Sequence, residues 1–541
     1  MSEASSAWVA PEREAPALLS SQLSSIARTT IMAPLVSISI GKLQGAEDDG
    51  CVVFRGVPFA QPPVGVLRWR PPEPMNSWDG IRDATRFSAS AMQRQVPGDV
   101  GDLIGIPAQT QSEDCLYLNV WTPACDNRKR PVMVWIHGGG NTVGSGTQPR
   151  IDGRKLAMTG DVVVVTLNYR LGVFGWMHAP ILGAYGNEGL LDQTAALFWV
   201  RREIEAFGGD PQNVTVFGQS AGGFDIAHLM AMPAATGAFD KAIPMSGSLI
   251  PTITKVEARD VAERFLMRFG GWDDPERMRG VSAEDLLDYQ VELTGGGFGG
   301  ARFGPVADGY SLGLDAEARI GAGIQTKGMP LMLGHTRDEF NLFTAAAQAE
   351  REMTDNDLLA AATAPFGGMR AAEGVDRYQR ARDARGEATD NHSVWNAIMT
   401  DSMFRIPAVR TAEAQGRHTA GVWSYRFDYR SPAHGGKLGS CHSLDIPFIW
   451  GTYEAENMKR FCGEASPELA ALSETMMQTY LAFAKTGNPN NEHLPDWPTY
   501  KPDDRSVMTF NHSCEVVNAP ADEERDFWAS LAPRELSRVG G

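Results

Sequence analysis

The sequence predicts an α/β protein: a central, mostly parallel sheet flanked by helices, with large loop and helical insertions. Three observations predict it. Short apolar, β-branched runs recur without polar alternation, which suits strands covered on both faces. Helical stretches separate them, and that alternation implies parallel pairing. Glycine-rich segments directly follow strand-like runs, at the carboxyl ends where such sheets bind ligands.

The elements follow in order. Val132-Met133-Val134-Trp135-Ile136 is a strand, and Val162 to Leu167 a second. Leu190 to Phe207 reads as a helix with apolar Leu190, Ala195, Leu197, Phe198, Ile204 and Phe207, stopped by Gly208-Gly209. Val214 to Phe217 is the next strand, and Phe224 to Met230 is helical. Lys241 to Met245, Pro330 to Leu333 and Val422 to Phe427 complete the candidate strands. Residues 1–34 are rich in Ser and Ala and without periodicity, so they are expected to form a flexible extension, with Met32 a candidate natural start. Residues 35–541 are expected to fold as one domain.

Bulk properties exclude several functions. The net charge of −17 argues against nucleic acid, which needs clustered Lys and Arg; solubility is its simplest meaning. The six cysteines show no CxxC pair and no metal-ligand spacing, so they are not expected to hold a metal, and the side-chain chemistry read below needs no metal or organic cofactor. No apolar run reaches the roughly 18 residues of a membrane helix. Glu12, Arg13 and Glu14 precede any apolar stretch, unlike a secretory signal.

The chemistry centres on Gly218-Gln219-Ser220-Ala221-Gly222, between the strand Val214 to Phe217 and a helix. A G-x-S-x-G turn between strand and helix presents the serine as a nucleophile on a strained bend. The helix following it aims free amides and its dipole at the reaction centre. His137-Gly138-Gly139-Gly140 follows the strand ending at Ile136 and matches a loop that supplies oxyanion donors. The amides of Gly139, Gly140 and Ala221 are the candidate oxyanion hole. His137 reads as structural, since it precedes the serine.

The acid and the base should lie downstream, in the order Ser, Asp or Glu, His. After the strand near Met329 to Leu333 comes Gly334-His335-Thr336-Arg337-Asp338-Glu339. Asp338 and Glu339 compete; Asp338 can pair locally with Arg337, which favours Glu339. Of the later histidines, His434 and His442 follow the last strand-like run, and spacing does not separate them.

These residues resemble the type B carboxylesterases of the α/β-hydrolase fold, a family that also contains the cholinesterases. The resemblance runs from about Ile38 onward. It is carried by Phe207-Gly208-Gly209-Asp210-Pro211 through Gly223, by Glu113-Asp114-Cys115-Leu116-Tyr117-Leu118-Asn119-Val120, and by Phe54-Arg55-Gly56-Val57-Pro58-Phe59-Ala60. Asn168-Tyr169-Arg170-Leu171-Gly172 and Gly487-Asn488-Pro489-Asn490 also fit. It implies Glu339 as the acid. It also implies His442 as the base, because two residues separate His442 from Asp445-Ile446-Pro447, a spacing that His434 lacks.

Departures from the family are informative. Gln219 stands where many relatives have Glu, which weakens a local negative charge. Asn141 stands where many have an aromatic residue, which predicts a more polar pocket wall. Ala91 replaces the usual disulfide partner of Cys115, which implies that this bridge is absent and fits a reducing, cytoplasmic setting. Residues 93–112 hold no aromatic residue, which argues against a choline site.

The resulting expectation is a serine carboxylesterase: Ser220 is acylated by a small-molecule ester, with His442 as base, Glu339 as its orienting acid, and the Gly139, Gly140 and Ala221 amides as oxyanion donors. The alternatives are hydrolysis of carbamates, amides or lactones by the same triad, and a non-catalytic, cholinesterase-like binding protein. The segments from about Pro62 to Gln111 and from about Leu287 to Phe303 are expected to overhang an active-site gorge, with Gly295 to Gly300 mobile.

Overall fold

The side chains of the strand Arg130–Ile136 divide between two cores. Val132, Val134 and Ile136 join one, and Met133 and Trp135 join the other. Neighbouring strands repeat this division, as the period of two requires when both sheet faces are covered. The computed structural model describes residues 33–94, 100–295, 302–350 and 352–531. The predicted extension therefore lies outside the described residues except for its last two positions.

In chain order the described strands are β1 (Leu35–Ile38), β2 (Gly41–Gln44), β3 (Ala46–Asp48), β4 (Cys51–Pro58), β5 (Ile81–Asp83), β6 (Tyr117–Thr122), β7 (Arg130–Ile136), β8 (Val163–Leu167), β9 (Gly209–Gln219), β10 (Lys241–Met245), β11 (Leu331–Thr336), β12 (Val422–Phe427), β13 (Ser506–Phe510) and β14 (Glu515–Asn518). The large sheet has the order β14-β13-β12-β11-β10-β9-β7-β8-β6-β4-β3, and a small one has the order β1-β2-β5. From β8 across to β13 every pairing is parallel, while β6, β4, β3 and β14 pair antiparallel at the two sides. This is the mostly parallel sheet the sequence predicts.

Helices close both faces. The helix Glu188–Glu203 packs on β9 from one side, and Ile406–Gly416 packs on β11 and β12. The helix Pro467–Thr486 covers β7 and β9 from the other. The helix expected over Leu190 to Phe207 is α-helical only to Glu203; Ile204–Phe207 tightens into a 3₁₀ turn that Gly208 ends at φ 80°.

Two differences matter for the site. Gly334-His335-Thr336, expected as loop, is strand: β11 continues beside β12 to the pair Thr336–Phe427. The helix expected from Phe224 already starts at Ala221, immediately after the serine.

Candidate active site

The serine sits at the hinge between β9 and the helix Ala221–Leu229. Ser220 has φ 58° and ψ −126°, a conformation L residues rarely adopt and one that the surrounding packing must hold. Its N–H donates to Met245 O of β10 at 3.0 Å, and its carbonyl accepts from Phe224 N at 2.9 Å. Gly222 lies so close to β7 that a Cβ there would come 2.1 Å from Ile136 O. The glycine loop touches the same elbow: a Cβ on Gly138 would come 2.4 Å from Gln219 O and 2.9 Å from Ser220 Cβ. Chain segments about eighty residues apart in sequence thus meet through positions where only glycine fits.

The candidate acid and base arrive from later strands. Glu339 follows the end of β11 by three residues, and its Oε1 accepts from the backbone N–H of Thr336 at 2.7 Å. Its Oε2 accepts from Nδ1 of His442 at 2.5 Å. Glu339 is fully buried. Burial pushes its carboxyl up, but the His442 imidazole, by charge and hydrogen bond, outweighs this and holds it below the ordinary carboxylate range. With the proton on Nδ1, Nε2 is the acceptor nitrogen of His442, and in this structure its lone pair takes a hydrogen bond from the Gln219 amide. Nε2 stands 3.1 Å from Nε2 of Gln219, the residue before the serine. No hydrogen bond joins Ser220 Oγ to His442 among the described residues, a looseness common before substrate binds.

Asp338 does not pair with Arg337, whose guanidinium bonds Glu387 at 3.1 Å. Asp338 instead accepts from Ser440 N at 2.9 Å and donates its own N–H to Ser440 O at 2.8 Å. It therefore ties the acid loop to the loop carrying His442. His434 is exposed, on a turn where its φ is 53°. His335 is buried within β11, with Nδ1 2.9 Å from Thr336 O. His137 is buried and stacks on Tyr169 with ring centroids 4.4 Å apart; burial pushes its pKa down to about 4, so it is neutral.

Several neighbours carried no sequence signal. Phe343 and Phe404 lie 5.1 and 5.0 Å from the His442 ring, and Phe224 lies 6.0 Å from Phe404. Phe404 belongs to a π-helical turn, Asp401–Arg405, between the helices Asn391–Thr400 and Ile406–Gly416. Arg405 grips Asp401 through two hydrogen bonds of 2.6 Å, and Tyr378 donates to the same carboxylate. Such turns recur at functional sites. Asp445 is fully buried, and neither carboxylate oxygen has a hydrogen-bond partner among the described residues. Burial, then the nearby charge of Glu339, pushes it up to about 7.

The expected polar wall at Asn141 is not built. Its side chain is buried and spent internally, donating to Asp225 at 3.1 Å and accepting from Tyr169 at 3.2 Å. The first insertion reaches the glycine loop. Gln93 accepts from Gly144 N at 2.7 Å and donates to Gly144 O at 2.9 Å, beside a cavity of about 160 Å³ also lined by Gln109, Gln111 and Ser145. Arg94 pairs with Asp288, joining this insertion to the helix Ala283–Thr294. Residues 95–99 and 296–301, including most of the glycine segment expected to be mobile, lie outside the described residues. Cys115 is unbridged and lines one small cavity with Ala91. Among the described residues no group of His, Cys, Asp and Glu could hold a metal ion, and no helix is long and apolar enough to cross a membrane.

A serine on a strand-to-helix elbow, a glycine loop against it, and a carboxylate–histidine pair from the following strands define an α/β-hydrolase. The family model described as the carboxylesterase family matches residues 32–528. The para-nitrobenzyl esterase of Bacillus subtilis (strain 168) is 40% identical over 499 residues, spanning 91% of this chain and 97% of its own. The phenmedipham hydrolase of Pseudarthrobacter oxydans is 34% identical over 487 residues, spanning 88% of this chain and 95% of its own. A solved PNB esterase structure superposes with a TM-score of 0.82 at 38% identity, covering 93% of this chain and 100% of that one. The chain belongs to the carboxylesterase family, and it is a carboxylic ester hydrolase.

Proposed function

We propose that this protein hydrolyses small carboxylic esters through an acyl-enzyme on Ser220, with His442 as the base and Glu339 as the acid. The observation that carries the reading is the buried 2.5 Å bond from His442 Nδ1 to Glu339, which leaves Nε2 facing the Gln219–Ser220 elbow. Ser220 Oγ adds to the ester carbonyl as its proton passes to His442 Nε2. The oxyanion takes hydrogen bonds from the Gly139, Gly140 and Ala221 amides. Collapse of the adduct expels the alcohol, which receives that proton from His442. Water, deprotonated by the same nitrogen, then releases the acid and restores Ser220. Phe224, Phe343 and Phe404 beside the base suit an apolar or aromatic group on the ester. The name of the Bacillus relative, para-nitrobenzyl esterase, agrees with that preference. The proposal extends to a cytoplasmic setting, from Ala91 standing where relatives carry the partner of Cys115, and to no role with nucleic acid, from the charge of −17.

The test is labelling with a fluorophosphonate probe together with hydrolysis of p-nitrophenyl and p-nitrobenzyl esters. Wild type is expected to be labelled and active, and Ser220→Ala neither. Equal labelling of the two proteins sinks the assignment.

A further inference from the structure

Behind the glycine loop lies a carboxyl group that the proposed reaction does not use. Asp225, on the helix that begins at Ala221, is 0% exposed. Its hydrogen-bond partners are two amides and no cation: Oδ2 accepts from Nε2 of Gln193 at 2.6 Å, and Oδ1 from Nδ2 of Asn141 at 3.1 Å. Burial pushes this carboxyl up to about 7 against the opposing pull of the amides. An acid buried without a cation costs stability, so what it holds in place is of interest.

It holds Asn141. Gly139, Gly140 and Asn141 have φ of 120°, 61° and 57°, so three successive residues run with positive φ. Asn tolerates that region better than other side chains, but local sterics do not fix such a path. The path is fixed from outside. Gly172 N donates to Asn141 O at 2.7 Å, and the Tyr169 hydroxyl shares its one proton between His137 O at 2.8 Å and Asn141 Oδ1 at 3.2 Å. Asp225 takes the remaining end of the Asn141 amide. Because Asp225 rides on the helix that begins with Ala221, one rigid element carries the Ala221 amide and also grips the loop carrying the other two donors.

We propose that Asp225 and Asn141 form a positioning pair that sets the oxyanion hole, Asp225 fixing the Asn141 amide and through it the Gly139 and Gly140 N–H groups. This rests on the assignment of those amides as the oxyanion donors.

The test compares kcat and KM on a p-nitrophenyl ester, and inhibition by an aryl trifluoromethyl ketone. Ser220 Oγ adds to the ketone carbonyl, its proton passes to His442, and an oxyanion is left in the hole. Asp225→Ala and Asn141→Ala are each expected to lower kcat roughly 10- to 100-fold and weaken the ketone by a similar factor, with KM held within about threefold. The double variant should be no worse than the worse single, as expected of a coupled pair. Asp225→Asn should recover most of the loss. It keeps a carbonyl toward Asn141, and its amide can donate to Gln193 Oε1, which is buried without a partner. Wild-type kcat in folded Asn141→Ala, additive losses, or lost kcat with unchanged ketone affinity would overturn the pair. Should Asp225→Ala not fold, Asn141→Ala against Asp225→Asn decides: only the first is expected to lose kcat, and equal behaviour of the two overturns the pair. Ser220→Ala separates the readings. If it stays active, the assignment beneath fails; if it is dead while Asn141→Ala behaves as wild type, only the pair fails.

Discussion

The two sides of the active site are held by different means. On the glycine side, Gly138 and Gly222 press against the Ser220 elbow and β7 with no room for a Cβ of their own. On the acid–base side, Glu339 and His442 are placed by side chains and loop hydrogen bonds: Thr336 N to Glu339, Ser440 N to Asp338, His442 N to Glu339 O at 3.3 Å. The first kind of placement is written locally, because a glycine pattern is itself the steric requirement. The second depends on which of several neighbouring polar residues the tertiary structure turns inward.

Substitutions can break that contrast. Largest is the chemistry shared by both sides: Ser220→Ala and His442→Ala are each expected to lower kcat by about 10⁶-fold, by analogy with triads acting as a unit. Steady-state hydrolysis with a burst assay measures it, and loss from only one of the two contradicts a shared mechanism. On the acid–base side, Glu339→Gln should cost roughly 10⁴-fold in kcat by presenting the wrong partner to Nδ1. The neighbouring Asp338→Asn should cost less than about tenfold and show mainly as a lowered Tm, since its work is on loop placement. Equal losses for the two would dissolve the distinction between them. On the glycine side, Gly139→Ala should lower kcat roughly 10²- to 10³-fold, because its Cβ would come 2.1 Å from Val143 O and the loop would have to move.

The smallest effect concerns stability. Asp445 has a folded pKa near 7 against an ordinary value of 3.8, so folding at pH 8 buries its charged form, and that cost fades as pH falls toward 3.8. Asp445→Asn is therefore expected to raise Tm by a few degrees at pH 8 and by less at pH 5. A gain independent of pH in calorimetry would show that its charge is not the cause.

The sheet was legible where strands are buried on both faces. All six predicted runs lie in or overlap β7 to β12, since unbroken apolar runs are what a doubly covered parallel strand requires. The strands β4, β6 and β13 passed unread as strands: β4 and β6 overlap segments noticed for family resemblance, and Ser506–Phe510 is a short run late in the chain. The choice of Glu339 over Asp338 needed the family pattern, because both carboxylates follow the same strand. What separates them is that Glu339 points inward to His442 and Asp338 across to Ser440. Likewise His434 and His442 share one loop, and only burial of the segment after Cys441 distinguishes them. Asp225 was invisible for a plainer reason. Its partners Gln193 and Asn141 stand 32 and 84 residues away, so no local pattern announces the contact.

The π-helical turn at Asp401–Arg405 also acts as a rotational spacer. An α-helix advances about 100° per residue, and a wider turn inserts extra angle without breaking the axis. Removing one residue there would turn the helix Ile406–Gly416 by about that amount, swinging Ala408 and Ala412 out of the core beneath β11 and β12. Chain length across those five residues is thus under tight constraint, and a deletion there should unfold this side of the sheet even where Phe404, the residue of the turn beside His442, is kept.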